Sequence, residues 1–158
     1  LAGADIVVLS LHWGTEYTHA ATALQKAQAA QLLASPDIDV ILGDHAHAVQ
    51  PLQMINGKWV IYCMGDQISA HDPPNNDNRE GVMPIFTFTE TDGAWKVTKV
   101  EAVPTWMQLS PYRLIDLPAA LADPSTSAAD RAVYQQAHDQ IAGYLDADGA
   151  AAQGLIVD

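Results

Sequence analysis

Three histidines stand directly behind short apolar runs. His12 follows Ile6-Val7-Val8-Leu9-Ser10-Leu11, and His45 and His47 follow Asp39-Val40-Ile41-Leu42-Gly43-Asp44. In His45-Ala46-His47 the two imidazoles sit at i and i+2. On an extended segment such residues share a face, so both can reach the same ion or ion pair. Asp44 and Asp66 supply carboxylates near the ends of similar runs. Nitrogen and oxygen donors together suit Zn, Mn or Fe. An isolated H-x-H is more often a pair of polar loop histidines. Here a buried-type strand and a glycine precede it, and His12 occupies an equivalent strand end, which favours metal ligation by His12, His45 and His47.

The elements that must position these residues can be read from the pattern. Short β-branched apolar runs ending near glycine are the signature of buried parallel strands. Between the two runs, Ala20, Ala23, Leu24, Ala27, Ala30, Leu33 and Ala34 recur at spacings of three and four, which predicts a helix with one apolar stripe. Strand, crossover helix and strand make a βαβ unit with parallel strands. His12, His45 and His47 then meet at the C-terminal edge of the sheet, where open α/β sheets bind ligands.

Downstream the pattern turns to β structure. Gln50 to Ile55 and Lys58 to Met64 flank Asn56-Gly57, a strong hairpin signal. The stretch Ile68 to Gly81, with Pro73-Pro74-Asn75-Asn76-Asp77-Asn78, reads as a mobile polar loop. Val82 to Glu90 and Ala94 to Ala102 form a second hairpin around Thr91-Asp92-Gly93. Pro104 to Pro118 reads as extended and irregular. Ser127 with Asp130 marks a helix start, followed by a stripe of Val133, Ala137, Ile141, Tyr144 and Leu145. Gly149 to Gly154 reads as a frayed end. Residues 1–110 are taken as one unit, and 111–158 as an irregular segment plus a helix that packs on it.

The bulk numbers exclude several classes. The chain has 158 residues and a net charge of −12, which argues against a nucleic-acid surface. Cys63 is the only cysteine, so neither an internal disulfide nor a cysteine-based zinc site is available. No run approaches the ~18 apolar residues of a membrane helix, and Leu1-Ala2-Gly3-Ala4-Asp5 does not read as a signal peptide. The sequence contains no nucleophile elbow, no P-loop and no dinucleotide fingerprint.

Other residues have bland readings beside functional ones. Trp13 and Trp106 line a pocket or pack in the core, the default for tryptophan. Glu16 and Tyr17 contact a ligand or lead into the helix. Asp44 ligates or caps a turn. His71 closes over the site or is a surface histidine. His19 reads as a cap or solvent residue, and His138 carries no role. Cys63 reads as a small buried residue.

The same residues carry a family resemblance. Ser10-Leu11-His12-Trp13-Gly14-Thr15-Glu16-Tyr17, Ile41 to Pro51, Val60 to Asp66 and Arg79-Glu80-Gly81-Val82 resemble the bacterial capsule-synthesis proteins of the poly-γ-glutamate (CapA/PgsA) type. The resemblance spans about Asp5 to Trp106. That family is similar to calcineurin-like metallophosphoesterases, an α/β fold with a four-layer α/β/β/α sandwich around a two-metal site. It implies that His12, His45 and His47 are ligands to a divalent transition metal, with two ions in the complete domain. Trp13, Glu16, Tyr17, Asp44, Asp66 and His71 are then candidates for the pocket or for positioning the ligands. Departures are Asp44, where the family often has histidine, and Asp66, where it often has asparagine. The family's Asp-x-His, Gly-Asp and Asn-His motifs do not occur before His12. The expectation is therefore the C-terminal part of the sandwich, carrying the histidine half of the site. Its partners would be the N-terminal half of the domain, an anionic polymer or phosphoester, and, through an uncovered apolar face, a second copy. The resemblance implies a cell-envelope or extracellular setting. Two functions follow: a metal-dependent phosphoesterase-like enzyme of capsule biosynthesis, or a non-catalytic module that binds polymer or assembles a synthase.

Overall fold

The computed structural model describes residues 3–69, 71 and 77–158. Val8–His12 (β1), Ala23–Leu32 (α1) and Val40–Asp44 (β2) form the βαβ unit, with β1 and β2 parallel. Leu52–Ile55 (β3) and Lys58–Ile61 (β4) form the hairpin. Its turn residues Asn56 and Gly57 have φ of 54° and 76°, the positive pair that a two-residue turn between twisted strands requires. Strand β4 lies parallel to β2, giving a first sheet in the order β1-β2-β4-β3.

Glu80–Thr91 (β5) and Ala94–Leu109 (β6) pair through Asp92-Gly93, and Tyr112–Asp116 (β7) adds to β6. Leu117–Ala122 (α2) and Ala128–Leu145 (α3) follow. The chain returns as Leu155–Val157 (β8), parallel to β6 on the second sheet.

The two inner strands of the first sheet are apolar on both faces because both faces are covered. Ile41, Val60 and Tyr62 face α1 with Trp13, Ala29 and Leu33. Trp59, Ile61 and Leu52 face a larger core shared with Val82, Val100, Ala102 and Trp106 of the second sheet. Ala137, Ile141 and Leu145 of α3 enter that same core. The result is the mixed α/β sandwich that the sequence leads one to expect.

Several local expectations are overturned. Of the predicted stripe only Leu33 is buried: Leu24 is 67% exposed, and Gln25 and Ala29, outside the stripe, point inward beside Leu33. Alanines bury little area, so a polar network sets the helix rotation instead. Gln25 Oε1 accepts from Thr22 N, and Gln25 Nε2 donates to Gln50 Oε1. Gln50 Nε2 donates in turn to the Thr18 and Ala20 carbonyls. Thr22, not His19, caps the helix. His19 bonds the Val49 carbonyl through Nδ1 and stacks on Tyr144 of α3 at 3.6 Å between ring centroids.

Pro104 to Pro118 is regular: β6 continues to Leu109, and β7 returns along it because cross-strand pairing satisfies its backbone groups. Residues Gly149 to Gly154 are not frayed; Ala151–Gln153 make a 3₁₀ turn that delivers β8. In the polar loop, Asp77–Arg79 form a 3₁₀ turn and β5 starts already at Glu80. Pro73 to Asn76 lie outside the described residues.

Glu80 is fully buried opposite Trp106, and among the described residues neither carboxyl oxygen has a hydrogen-bond partner. Burial, with Asp77 adding, pushes its carboxyl from 4.5 up to about 8. Between those two values the unfolded chain has released a proton that the folded chain keeps. Stability from this group is therefore complete below the lower value and is lost as pH rises towards the upper one. Glu80→Gln should remove this part of the pH dependence. In thermal melts, wild type should lose several degrees relative to the variant between about pH 5 and about pH 8. Parallel profiles for the two proteins would refute the buried neutral carboxyl.

Candidate metal centre

The site is assembled where β1, β2 and β4 end. In register, His12 pairs with Asp44, and the parallel direction of β4 carries its continuation, Gly65-Asp66, to the same edge. Two glycines allow this convergence. A Cβ on Gly43 would lie 2.0 Å from the Tyr62 carbonyl oxygen and 2.5 Å from Trp13 Nε1. Gly81 is equally closed in, since a Cβ there would meet the Asp66 carbonyl oxygen at 2.3 Å. Trp13 Nε1 donates to the Tyr62 carbonyl at 2.8 Å, and Met64 N donates to the Gly43 carbonyl.

The H-x-H segment is not extended, contrary to the sequence reading. His45 and His47 have φ of 95° and 52°, and their ring centroids are 6.5 Å apart. The chain must bend sharply after β2 to bring Val49 into its bridge with Met64, and the two histidines absorb that bend. Positive φ at non-glycine residues stores strain of the kind found at functional sites.

This bend aims the two imidazoles differently. His47 Nδ1 lies 2.8 Å from Asp66 Oδ1, and His71 Nε2 lies 2.6 Å from Asp66 Oδ2. The three residues offer ligand atoms within 4.8 Å of one another. Tyr17 walls this group, stacked on His47 at 5.7 Å and edge-on to His71 at 5.8 Å. Its own position is held by a hydrogen bond from Tyr17 N to the Ala46 carbonyl. Asp66 is only 6% exposed, so its carboxylate relies on these imidazoles for compensation.

His45 sits instead beside His12, with ring centroids 4.3 Å apart. His12 Nδ1 approaches Asp44 Oδ1 at 2.8 Å. The approach lacks hydrogen-bonding geometry: Asp44 Oδ1 is shielded from solvent and has no hydrogen-bond partner among the described residues. A shielded, unpartnered oxygen next to an imidazole nitrogen fits a cation-binding role, as does the His47–Asp66–His71 group. Both donor sets mix nitrogen and oxygen in the way divalent transition ions prefer.

The remaining candidates separate clearly. Glu16 is exposed on the loop before α1. Trp13 and Trp106 are core residues. Cys63 is fully buried and burial pushes its thiol up, away from ligation. His138 bonds the Asp158 carbonyl, remote in topology from the site. Asp66, read from sequence as a nearby carboxylate or pocket residue, and His71, read as closing over the site or as a surface histidine, are the centre of the converging group. The signal was present in Gly65-Asp66, which repeats the Gly43-Asp44 pattern at the end of a neighbouring parallel strand.

Fold and site together define a mixed α/β protein with an imidazole–carboxylate cluster at the C-terminal edge of parallel strands. Residues 1–71 match the family model for the bacterial capsule synthesis protein PGA_cap, so this part of the chain is similar to that family. It is 36% identical over 63 residues to the PGA biosynthesis protein CapA of Bacillus subtilis, covering 40% of this chain and 16% of that protein. It is 31% identical over 91 residues to a probable polyglutamine synthesis accessory protein of Mycobacterium tuberculosis (strain H37Rv), covering 57% of this chain and 24% of the relative. The capsule biosynthesis protein CapA of Bacillus anthracis is 32% identical over 63 residues. The chain thus spans about a sixth to a quarter of the length of these relatives.

Gly43→Ala should destabilise the protein by about 3 kcal/mol or more, because backbone and tryptophan would both have to move. Gly143→Ala, in open space on α3, should be neutral or slightly stabilising. Urea unfolding of the two variants checks the contrast; equal midpoints would show that the approach at Gly43 is not tight.

Proposed function

We propose that this chain is a metal-binding part of a protein of poly-γ-glutamate-type capsule biosynthesis at the cell envelope, with His47, Asp66 and His71 holding a divalent transition ion. The observation that carries the reading is the convergence of both Asp66 oxygens on two imidazoles from separate segments. Asp66 neutralises charge and fixes both rings, and Tyr17 flanks them on one side. A bound ion would supply Lewis acidity towards a carbonyl or phosphoryl oxygen. The relatives' printed roles in polymer and capsule synthesis support the setting. Among the described residues no helix is long and apolar enough to cross a membrane.

A second reading, phosphoester hydrolysis, is favoured by the second donor group of His12, Asp44 and His45 at the same edge. Two ions clamping one oxyanion is the arrangement such chemistry uses. Among the described residues no carboxylate touches both groups, so hydrolysis by this chain alone is not expected.

Elemental analysis after dialysis against Zn or Mn, paired with titration calorimetry, tests the site. His47→Ala, Asp66→Asn and His71→Ala should each weaken uptake by about tenfold or more, whereas His138→Ala should not. Unchanged uptake in all three would remove the proposal. Nitrophenyl-phosphate turnover lost on His47→Ala would instead establish the hydrolytic reading.

A further inference from the structure

A groove between β7, α2 and α3, away from the histidines in the fold, has a chemistry of its own. It consists of two adjoining cavities of about 410 and 540 Å³. Arg79 and Trp106 line the first and Arg113 the second; Gln108, Asp130 and Tyr134 line both.

The acidic side chains here are already engaged. Asp116 Oδ1 accepts from Ala119 N and caps α2. Asp123 Oδ1 accepts from Ser125 N, and Asp130 Oδ2 accepts from Ser127 Oγ at the start of α3. Arg131 is spent on the carbonyls of Leu121 and Asp123.

The other two guanidiniums are not paired with any carboxylate among the described residues. Arg79 donates Nε to the Met107 carbonyl and lies 4.2 Å over the Trp106 ring, which fixes its plane. Burial lowers its pKa, as expected for a charge taken from water without a counter-ion. Arg113 is exposed, and its guanidinium makes no hydrogen bond or ion pair among the described residues. Tyr134 lines both cavities. Burial and Asp130 push its phenol up, while Arg113 and Arg79 both pull it down, so its hydroxyl lies within reach of both fields.

We propose that this groove binds a linear chain bearing successive carboxylates, with Arg79 taking one carboxylate, Arg113 the next, and Tyr134 lining both cavities. A guanidinium presents a planar fork that matches a carboxylate. Asp116, Asp123 and Asp130 in the walls repel a dianionic phosphate more than a monoanionic carboxylate. The net charge of −12 excludes diffuse attraction of a polyanion, so affinity must come from these directed contacts. The inference rests on the polymer-biosynthesis reading for the identity of the chain, whereas the groove itself is independent of the histidine site.

Fluorescence anisotropy with a fluorescein-labelled oligo-γ-glutamate, on the whole chain, tests the groove. Arg113→Gln and Arg79→Gln should each weaken binding about tenfold. Arg79→Lys should fall between, keeping the charge but losing the fork. Lys99→Gln, which removes one positive charge elsewhere on the surface, should leave affinity unchanged. Arg113 is exposed and supports no packing, so its variant remains informative if Arg79→Gln fails to fold. Unchanged affinity in Arg113→Gln would overturn the proposal. So would equal affinity for uncharged oligo-γ-glutamine, or displacement by inorganic phosphate at lower concentration than by oligoglutamate. Arginine-dependent oligoglutamate binding without metal uptake would uphold the groove and remove the histidine reading. Metal uptake with arginine-independent binding would do the reverse.

Discussion

The indole of Trp13 reaches over the backbone of β2 at Gly43 and donates to the carbonyl of Tyr62 beyond it. This contact locks three chain segments together just where the strands end. Trp13 immediately follows His12, Gly43 immediately precedes Asp44, and Tyr62 lies four residues before Asp66. A residue larger than glycine at position 43 would separate β2 from the chain leaving β4 and pull the two carboxylates apart. The site therefore depends on a close backbone approach as much as on its imidazoles and carboxylates.

Buried polar groups hold the rest in relation to this point. Gln25 and Gln50 fix the rotation of α1 and pin the loop at Thr18 and Ala20, a job that an alanine stripe lacks the area to do. His19, between those anchors, stacks on Tyr144 and so connects the first sheet to α3. Lys26 of α1 and Asp148, in the turn after α3, make a second link at 2.8 Å. Glu80 is different in kind: it is buried without a partner and kept neutral. It lies directly beside Arg79 in sequence and two residues before Val82 of the core, so a neutral acid there tolerates burial that a carboxylate would resist.

Two chemistries thus sit on one scaffold. The histidine edge of the first sheet presents acceptors, carboxylate and imidazole, which suit cations. The groove beside α2 and α3 presents donors, Arg79 and Arg113, while Asp116, Asp123 and Asp130 nearby each accept a local hydrogen bond. The separation follows from topology. Parallel strands gather their C-terminal loops at one edge, whereas α2 and α3 pack on the antiparallel second sheet away from that edge.

The sequence by itself determined the βαβ unit, both glycine-containing hairpins and the capped start of α3, because each rests on short-range rules. Asn56-Gly57 and Asp92-Gly93 carry the positive φ that their turns need, and Ser127 accepts from Asp130 N as its spacing implies. His12, Asp44, His45 and His47 were legible at strand ends for the same reason. Which of them converge was decided only by the tertiary structure. The bend at His45 and His47 exists to bring Val49 beside Met64, a long-range bridge that no local pattern records. Asp66 and His71 join His47 only because β4 runs parallel to β2, and a hairpin signal says nothing about its partner on the other side. The buried face of α1, the continuation of β6 and the return of β8 were likewise set by contacts across the fold. Local periodicity fixes how a segment is shaped; what it packs against fixes which of its residues do the chemistry.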